Sequence, residues 1–239
     1  MTNDSVASLV TKSAAQFSIE LTPEAASAFE LYYRKLSQSG KRFNLTAITG
    51  IEDVARLHFV DSLSLLKVMD FKGAKVIDIG SGAGFPGLPL KIAEPTVDLT
   101  LLDATGKRVA FLSELTREMG LLVSCIQARA EDAAHKAEMR EQYTIAVSRA
   151  VAELNILCEL CLPFVCIGGT FLAMKSIDAE DEIAAAQSSM RALGAKLEGV
   201  RNYSIAGTDI KRSVAVIRKI SPTPIAYPRR YARISKNPL

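Results

Sequence analysis

The sequence predicts an α/β fold: a doubly wound, mostly parallel sheet that finishes with an antiparallel strand, preceded by an N-terminal helical extension. Three observations carry this. From about residue 75 onward, short β-branched runs alternate with helix-length amphipathic segments, the pattern of a parallel sheet covered on both faces. A dense glycine cluster over residues 80–87 follows the first of these runs and opens a helix. Two strand-like runs close the pattern with no helix between them, so the chain must reverse there. A chain of 239 residues with 49% hydrophobic content can bury one large core with a small helical addition. The expected divisions are a helical extension over 1–72, a sheet domain over 73–220 and a Pro-rich basic tail over 221–239.

Taken in order, Thr22 and Pro23 read as an N-cap and a proline at the first helical position. Residues 24–36 then place Ala25, Phe29, Tyr32, Tyr33 and Leu36 at helical spacing, with Gly40 expected as the stop. Arg42 to Thr46, including Asn44-Leu45-Thr46, reads as a loop. A second helix is expected over 52–68, with Val54, Leu57, Val60, Leu63 and Leu66 in register. Strands are expected at 75–79, 99–103, 123–127, 144–148 and 169–174, and helices at 88–93, 108–119, 153–165 and 179–193. The closing strands are expected at 196–205 and 213–220.

Composition narrows the function classes. Residues 1–10 lack a basic segment followed by an apolar core, so no secretory signal is visible. The longest nearly apolar run, 160–174, is broken by Pro163, Gly168 and Gly169 and is too short to span a bilayer. The reading is a cytoplasmic protein with no membrane partner. His58 and His135 are the only histidines, which excludes a multi-histidine metal centre, and no metal is expected. Cys158 and Cys161 have CxxC spacing, but in an apolar helix-like stretch without a second pair they read as packed thiols. Net charge is +3, yet residues 211–239 carry +8 with no acid, leaving −5 on the rest. Such a basic end suits either a polyanion contact or a solubilising tail.

The sharpest local signal runs from Asp78 to Gly87, Asp-Ile-Gly-Ser-Gly-Ala-Gly-Phe-Pro-Gly. Glycines there let the backbone turn tightly and let a nucleotide-type ligand approach outside the carboxyl end of the sheet. Gly82, Gly84 and Gly87 also make a GxGxxG fingerprint, weak by itself. Asp78, two residues before Gly80, favours a cationic ligand. A carboxylate there can hold the amino-acid end of S-adenosylmethionine through ordered water or hydrogen bonds, whereas it would repel a pyrophosphate. Asp103 ends the second strand and can accept both ribose hydroxyls of either cofactor. A Walker loop and a nucleophile elbow are both absent.

Further candidates sit at later strand ends. Ala130 backbone groups and the Glu131 carboxylate can receive the polar edge of an adenine, or Glu131 can simply favour a helix start. Arg149 can hold substrate phosphate, stack on a base, or pair with a neighbouring carboxylate, Asp78 or Glu131. His58 and Asp61 lie three apart on one helix and can shape a pocket floor or share a local hydrogen bond, so neither is given a catalytic role. Lys175 can meet RNA phosphate or be solvated. A doubly wound sheet with a terminal antiparallel strand is also the usual Rossmann-like shape of S-adenosylmethionine methyltransferases.

The combination resembles a known family. Asn44-Leu45-Thr46, residues 58–62, the 78–87 loop, Leu101-Leu102-Asp103 with Lys107-Arg108, Ser148-Arg149-Ala150 and Pro228-Arg229-Arg230 occur in the order found in the 16S ribosomal RNA guanine-N7 methyltransferases, also called the glucose-inhibited division protein B family. The likeness extends from about Leu31 to the end, and the Phe-Pro-Gly extension together with the Pro-Arg-Arg tail is its most specific part. It implies S-adenosylmethionine as cofactor, with Gly80, Phe85, Ala130, Glu131 and Arg149 at cofactor-contacting positions. It also implies a guanine in the decoding-region loop of 16S ribosomal RNA, in the small ribosomal subunit, as target. The basic residues Lys175, Arg229, Arg230 and Lys236 are the candidates for RNA contact. This sequence departs from the family at Ser176, usually glycine, and lacks the tryptophan common near Cys158 and Cys161. Both departures bear on the acceptor pocket. Two other readings follow from the residues alone: a nicotinamide-dependent oxidoreductase, from the glycine fingerprint, and a non-catalytic RNA-binding or ribosome-assembly protein with a vestigial cofactor loop.

Overall fold

The computed structural model describes residues 5–43, 50–149 and 151–239. Helices α1 (Val6–Gln16) and α2 (Pro23–Phe43) are followed by a continuous helical stretch over 51–67. That stretch comprises α3 (Ile51–Asp53), a π-helical segment (Val54–Val60), α4 (Asp61–Leu63) and a 3-10 turn (Ser64–Lys67). The sheet region runs β1 (Lys75–Ile79), α5 (Gly87–Ala93), β2 (Asp98–Asp103), α6 (Gly106–Glu118), β3 (Val123–Gln127), α7 (Ala130–Ala133) and β4 (Tyr143–Arg149). It continues with α8 (Leu154–Cys161), β5 (Val165–Ser176), α9 (Glu180–Ala185), α10 (Gln187–Ala192), β6 (Ala195–Ser204) and β7 (Lys211–Lys219), and the chain ends with α11 (Tyr231–Lys236).

The seven strands lie in the order β3-β2-β1-β4-β5-β7-β6. Pairs from β3 to β5 are parallel, and β7 runs antiparallel to both β5 and β6. The expected mixed sheet is therefore present. The strand order reverses between β1 and β4, which opens a crevice at their carboxyl ends.

Alternate residues of each central strand enter opposite cores, as a period of two requires. Val76, Leu99, Leu101, Ile145, Val147 and Leu172 pack with the N-terminal helices, α5 and α6. Ile77, Ile79, Leu102, Ala146, Phe171 and Ala173 pack with α8 to α11 on the other face. The helices before residue 72 thus share one continuous core with the sheet, through Phe29, Tyr32, Leu36 and Phe59. Cys158 and Cys161 are fully buried in the second core, where burial pushes both thiols up.

Two helix readings need correction. Thr22 Oγ1 accepts from Ala25 N at 3.2 Å, as the cap predicts, but α2 runs past Gly40 to Phe43. A lone helical glycine costs only about 1 kcal/mol when no proline follows it. The helix expected over 52–68 contains the π-helical segment 54–60. The wider turn rotates Phe59 and Val60 into the core and leaves Leu57 and His58 half-buried beside a cavity. The Asn44-Leu45-Thr46 loop and Ala150 lie outside the described residues.

Candidate active site

The glycine loop is built by its surroundings. After β1, Gly80 N and Ser81 N both donate to Leu102 O, at 2.8 and 3.1 Å, which folds the loop over the end of β2. Gly80 has φ +71°, and a Cβ there would lie 2.7 Å from Val151 Cγ2. Only glycine fits both the conformation and the space. Gly82 N donates to Asp103 Oδ2 at 2.9 Å, while Thr105 N donates to Asp103 Oδ1 at 2.8 Å. Gly87 N donates to Asp78 Oδ2 at 2.8 Å. A Cβ on Gly87 would stand 2.9 Å from that carboxylate, so the start of α5 is pressed against the acid. From below, Tyr32 Oη donates to Ala83 O at 2.5 Å, and its ring stacks on Phe85 with centroids 5.4 Å apart.

This loop borders a cavity of about 160 Å³ at the strand-order switch, lined by Gly80, Asp103, Ala130, Glu131, Val151 and Tyr231 among others. Four of the residues singled out from sequence, Gly80, Asp103, Ala130 and Glu131, meet there. Gly82 is bonded to one of them, and Asp78 lies fully buried behind the loop. Two buried oxygens, Asp78 Oδ1 and Ser81 Oγ, lack a partner among the described residues. Burial raises the Asp78 carboxyl to about 7, and Asp103 adds to this while the Gly87 amide and Arg149 oppose it. A buried acid with a spare acceptor, a carboxylate at the end of β2 and a glycine that admits close approach fit the amino-acid and ribose ends of S-adenosylmethionine.

A second cavity, of about 380 Å³, opens beside the end of β4 and contains His58, Asp61, Arg149, Lys175 and Arg212. Arg149 donates to Asp61 Oδ2 at 2.9 Å and to Leu57 O at 3.1 Å, and its second terminal nitrogen meets His58 Nδ1 at 3.1 Å. The carboxylate partner is thus Asp61, not the expected Asp78 or Glu131, because the end of β4 faces the helical stretch 51–67. Tyr203 Oη donates to Asp61 Oδ1 at 2.7 Å, so both carboxylate oxygens are engaged. The Arg149 guanidinium lies 5.0 Å from the Phe85 ring centroid, and the His58 ring stacks on Phe85 at 4.6 Å. Burial and the Arg149 charge pull His58 down to about 4, and burial pushes the Tyr203 hydroxyl up. Phe85 therefore ties the glycine loop to the cationic cavity.

The candidate RNA contacts divide. Lys175 Nζ is held by Glu182 Oε1 at 2.5 Å and Ala152 O at 2.7 Å. Arg229 grips the fully buried Glu159 through Nε and Nη2 at 2.8 and 2.6 Å. Arg230 and Lys236 are exposed. Sequence reasoning missed Tyr203, Arg212 and Tyr231. The first two sit on the antiparallel end of the sheet, whose register no local pattern reveals, and Tyr231 reaches its cavity only because the tail folds back. Among the described residues, no cluster of three or more His, Cys, Asp or Glu is placed to hold a metal, and no helix is long and apolar enough to cross a membrane.

The chain resembles known proteins in fold and in sequence. Among solved structures, M. jannaschii TYW2 in complex with AdoMet superposes with a TM-score of 0.53 at 17% identity, covering 67% of this chain and 77% of that one. TrmN from Thermus thermophilus gives a TM-score of 0.52 at 18% identity, over 76% of this chain and 53% of that one. At such identities the likeness shows the fold. Sequence similarity is much closer. The ribosomal RNA small subunit methyltransferase G of Pelotomaculum thermopropionicum is 43% identical over 236 residues, covering 98% of this chain and 99% of the relative. That of Clostridium perfringens strain 13 is 40% identical over 233 residues, covering 97% and 98%. The model of the family described as rRNA small subunit methyltransferase G matches residues 25–211, and the chain belongs to that family.

Proposed function

We propose that the protein transfers a methyl group from S-adenosylmethionine to N7 of a guanine in the 16S ribosomal RNA of the small subunit. The observation that carries this reading is a pair of cavities, one beside the glycine loop and one beside the end of β4. One offers Gly80, Asp103, Ala130 and Glu131 to a nucleoside, and the other offers Arg149 and Arg212 to an anionic or aromatic acceptor. On this reading residues 73–220 carry the transfer, 1–72 brace the glycine loop through Tyr32, and 221–239 bring basic residues to the RNA.

S-adenosylmethionine, when bound, supplies a methyl group on a cationic sulfur. Asp78 and Ser81 would receive its amino-acid end, Asp103 its ribose hydroxyls, and Ala130 and Glu131 its adenine. Guanine N7 presents a lone pair, so no residue has to remove a proton. His58 suits that requirement, since it is neutral above about pH 4 and packed on Phe85. The residues then contribute alignment, and holding two reactants in line can supply about 7–11 kcal/mol of the barrier. Asp61, itself held by Tyr203, fixes the Arg149 guanidinium 5.0 Å from the Phe85 ring centroid, at the wall of the larger cavity. N7 faces the deep major groove of A-form RNA, which side chains enter poorly, so the acceptor guanine must be unstacked or in a loop.

The test is labelled methyl transfer to small subunits purified from a strain lacking this gene, followed by nucleoside mass analysis. Label in 7-methylguanosine is the expected result. Label in another nucleoside would overturn the substrate, and bound cofactor without transfer to any small-subunit particle or RNA would overturn the enzymatic reading.

A further inference from the structure

We propose that Tyr231, carried in on the C-terminal segment, forms the outer wall of the 160 Å³ cavity and packs against the purine of the nucleoside bound there. The proposal rests on the functional reading above and extends it to a residue outside the sheet.

Tyr231 lines the cavity together with Ala128–Glu131 and Leu160, and with Ile79 and Gly80 from the end of β1. Tyr231 is 40% exposed, so part of its surface is open to a partner. The remaining lining is aliphatic side chain, backbone, and the polar groups of Asp103, Arg129 and Glu131, which leaves Tyr231 as the one aromatic surface in the cavity among the described residues. A purine gains stacking energy from such a ring whatever its edge contacts.

The segment that carries the ring is also held in place. Just before it, Arg229 N and its guanidinium donate to buried Glu159, and Pro228 O meets His135 Nε2 at 2.9 Å. Arg140 donates to Tyr227 O at 2.9 Å and to Thr223 O at 2.7 Å. After it, Ile234 is fully buried, and Ser189 Oγ donates to Leu239 O at 2.8 Å. A tail serving only solubility has no need of two buried anchors flanking one aromatic residue. A ring on an anchored segment meets a ligand without the cost of ordering the chain that carries it, so more of its contact energy appears in the affinity.

Calorimetric binding of S-adenosylhomocysteine to the full chain tests this. Tyr231→Ala is expected to weaken binding roughly 10-fold, and Tyr231→Phe to stay within about twofold, with melting temperatures unchanged. The chain has no tryptophan, so Tyr231→Trp installs a unique fluorophore at the cavity mouth. Its emission is expected to change with S-adenosylhomocysteine and with adenosine, but not with homocysteine. Unaltered affinity in Tyr231→Ala, or tryptophan emission indifferent to a ligand that calorimetry shows bound, would overturn the proposal and leave the cofactor reading standing. Failure of the wild-type chain to bind S-adenosylhomocysteine would overturn both.

Discussion

Asp78 is a carboxyl that the fold has taken out of water, and its behaviour with pH follows from that. Its pKa is raised from 3.8 to about 7, chiefly by burial. Between those values the folded chain keeps a proton that the unfolded chain releases, so stability is lost as pH rises from about 4 to 7 and then levels. Asp78→Asn, which keeps an acceptor for Gly87 N, should therefore melt several degrees higher than wild type at pH 8, with up to about 4 kcal/mol available, and no higher at pH 4. Thermal melts at the two pH values check this. A cationic amino group beside Asp78 would favour its ionised form, so S-adenosylhomocysteine binding near pH 6.5 should release protons, and should release fewer in Asp78→Asn. Calorimetry in buffers of different ionisation enthalpy measures the difference. Asp61 makes the complementary case. It is buried and accepts from both Arg149 and Tyr203, so Tyr203→Phe should cost about 2 kcal/mol and Arg149→Ala roughly 3 kcal/mol or more in denaturant melts, because each strips a donor from a buried acceptor. These residues also mark how far sequence reasoning reaches. Gly80, Gly82 and Asp103 lie within one strand-helix-strand unit, so their convergence was legible. Arg149 meets Asp61 across 88 residues and Tyr203 meets Asp61 across 142, separations that no local spacing encodes.

Between residues and the whole lie the elements, where the same division recurs. The central strands were legible because parallel strands buried on both faces read as continuous β-branched runs. The π-helical turn at 54–60 was not, since it alters the helical period by too little to separate from amphipathic noise, yet it is what brings His58 and Leu57 to the cavity beside the end of β4. The tail was legible as basic and proline-rich but not as docked, because its anchors, Glu159 in α8 and His135 and Arg140 before β4, lie 70 to 93 residues earlier in the chain. Docking makes the tail's order conditional on one buried ion pair. Glu159→Gln removes the charge that Arg229 grips and should destabilise the protein by roughly 3 kcal/mol. Limited trypsin digestion should then cut after Arg229 or Arg230 well before any site in the sheet. Cleavage no faster than in wild type would mean that Ile234 and the Arg140 contacts hold the segment without the pair.

On the scale of the whole molecule, charge separates a basic end from an acidic body, +8 over residues 211–239 against −5 over the rest. The structure sorts those cations by availability. Lys219 is buried on Glu141 and Thr223, Arg218 pairs with Glu198, and Arg229 is committed to Glu159. Lys211, Arg230, Arg233 and Lys236 remain exposed, the last three on or next to the helix that carries Tyr231. Arginines already neutralised inside the protein release few counterions from RNA, whereas exposed ones release about 0.7 to 0.9 each per phosphate met. Replacing Arg230, Arg233 and Lys236 together by Ala should therefore weaken RNA binding and flatten the plot of log affinity against log salt by roughly 2, with little change in melting temperature. Arg229→Ala should do the reverse, lowering the melting temperature while leaving the salt slope nearly intact in the fraction that stays folded. Filter binding to small-subunit RNA across a salt series, run beside thermal melts, separates the two. A slope that the triple substitution leaves unchanged would assign the exposed cations to solubility and return the RNA contact to Arg212 and the rim of the acceptor cavity.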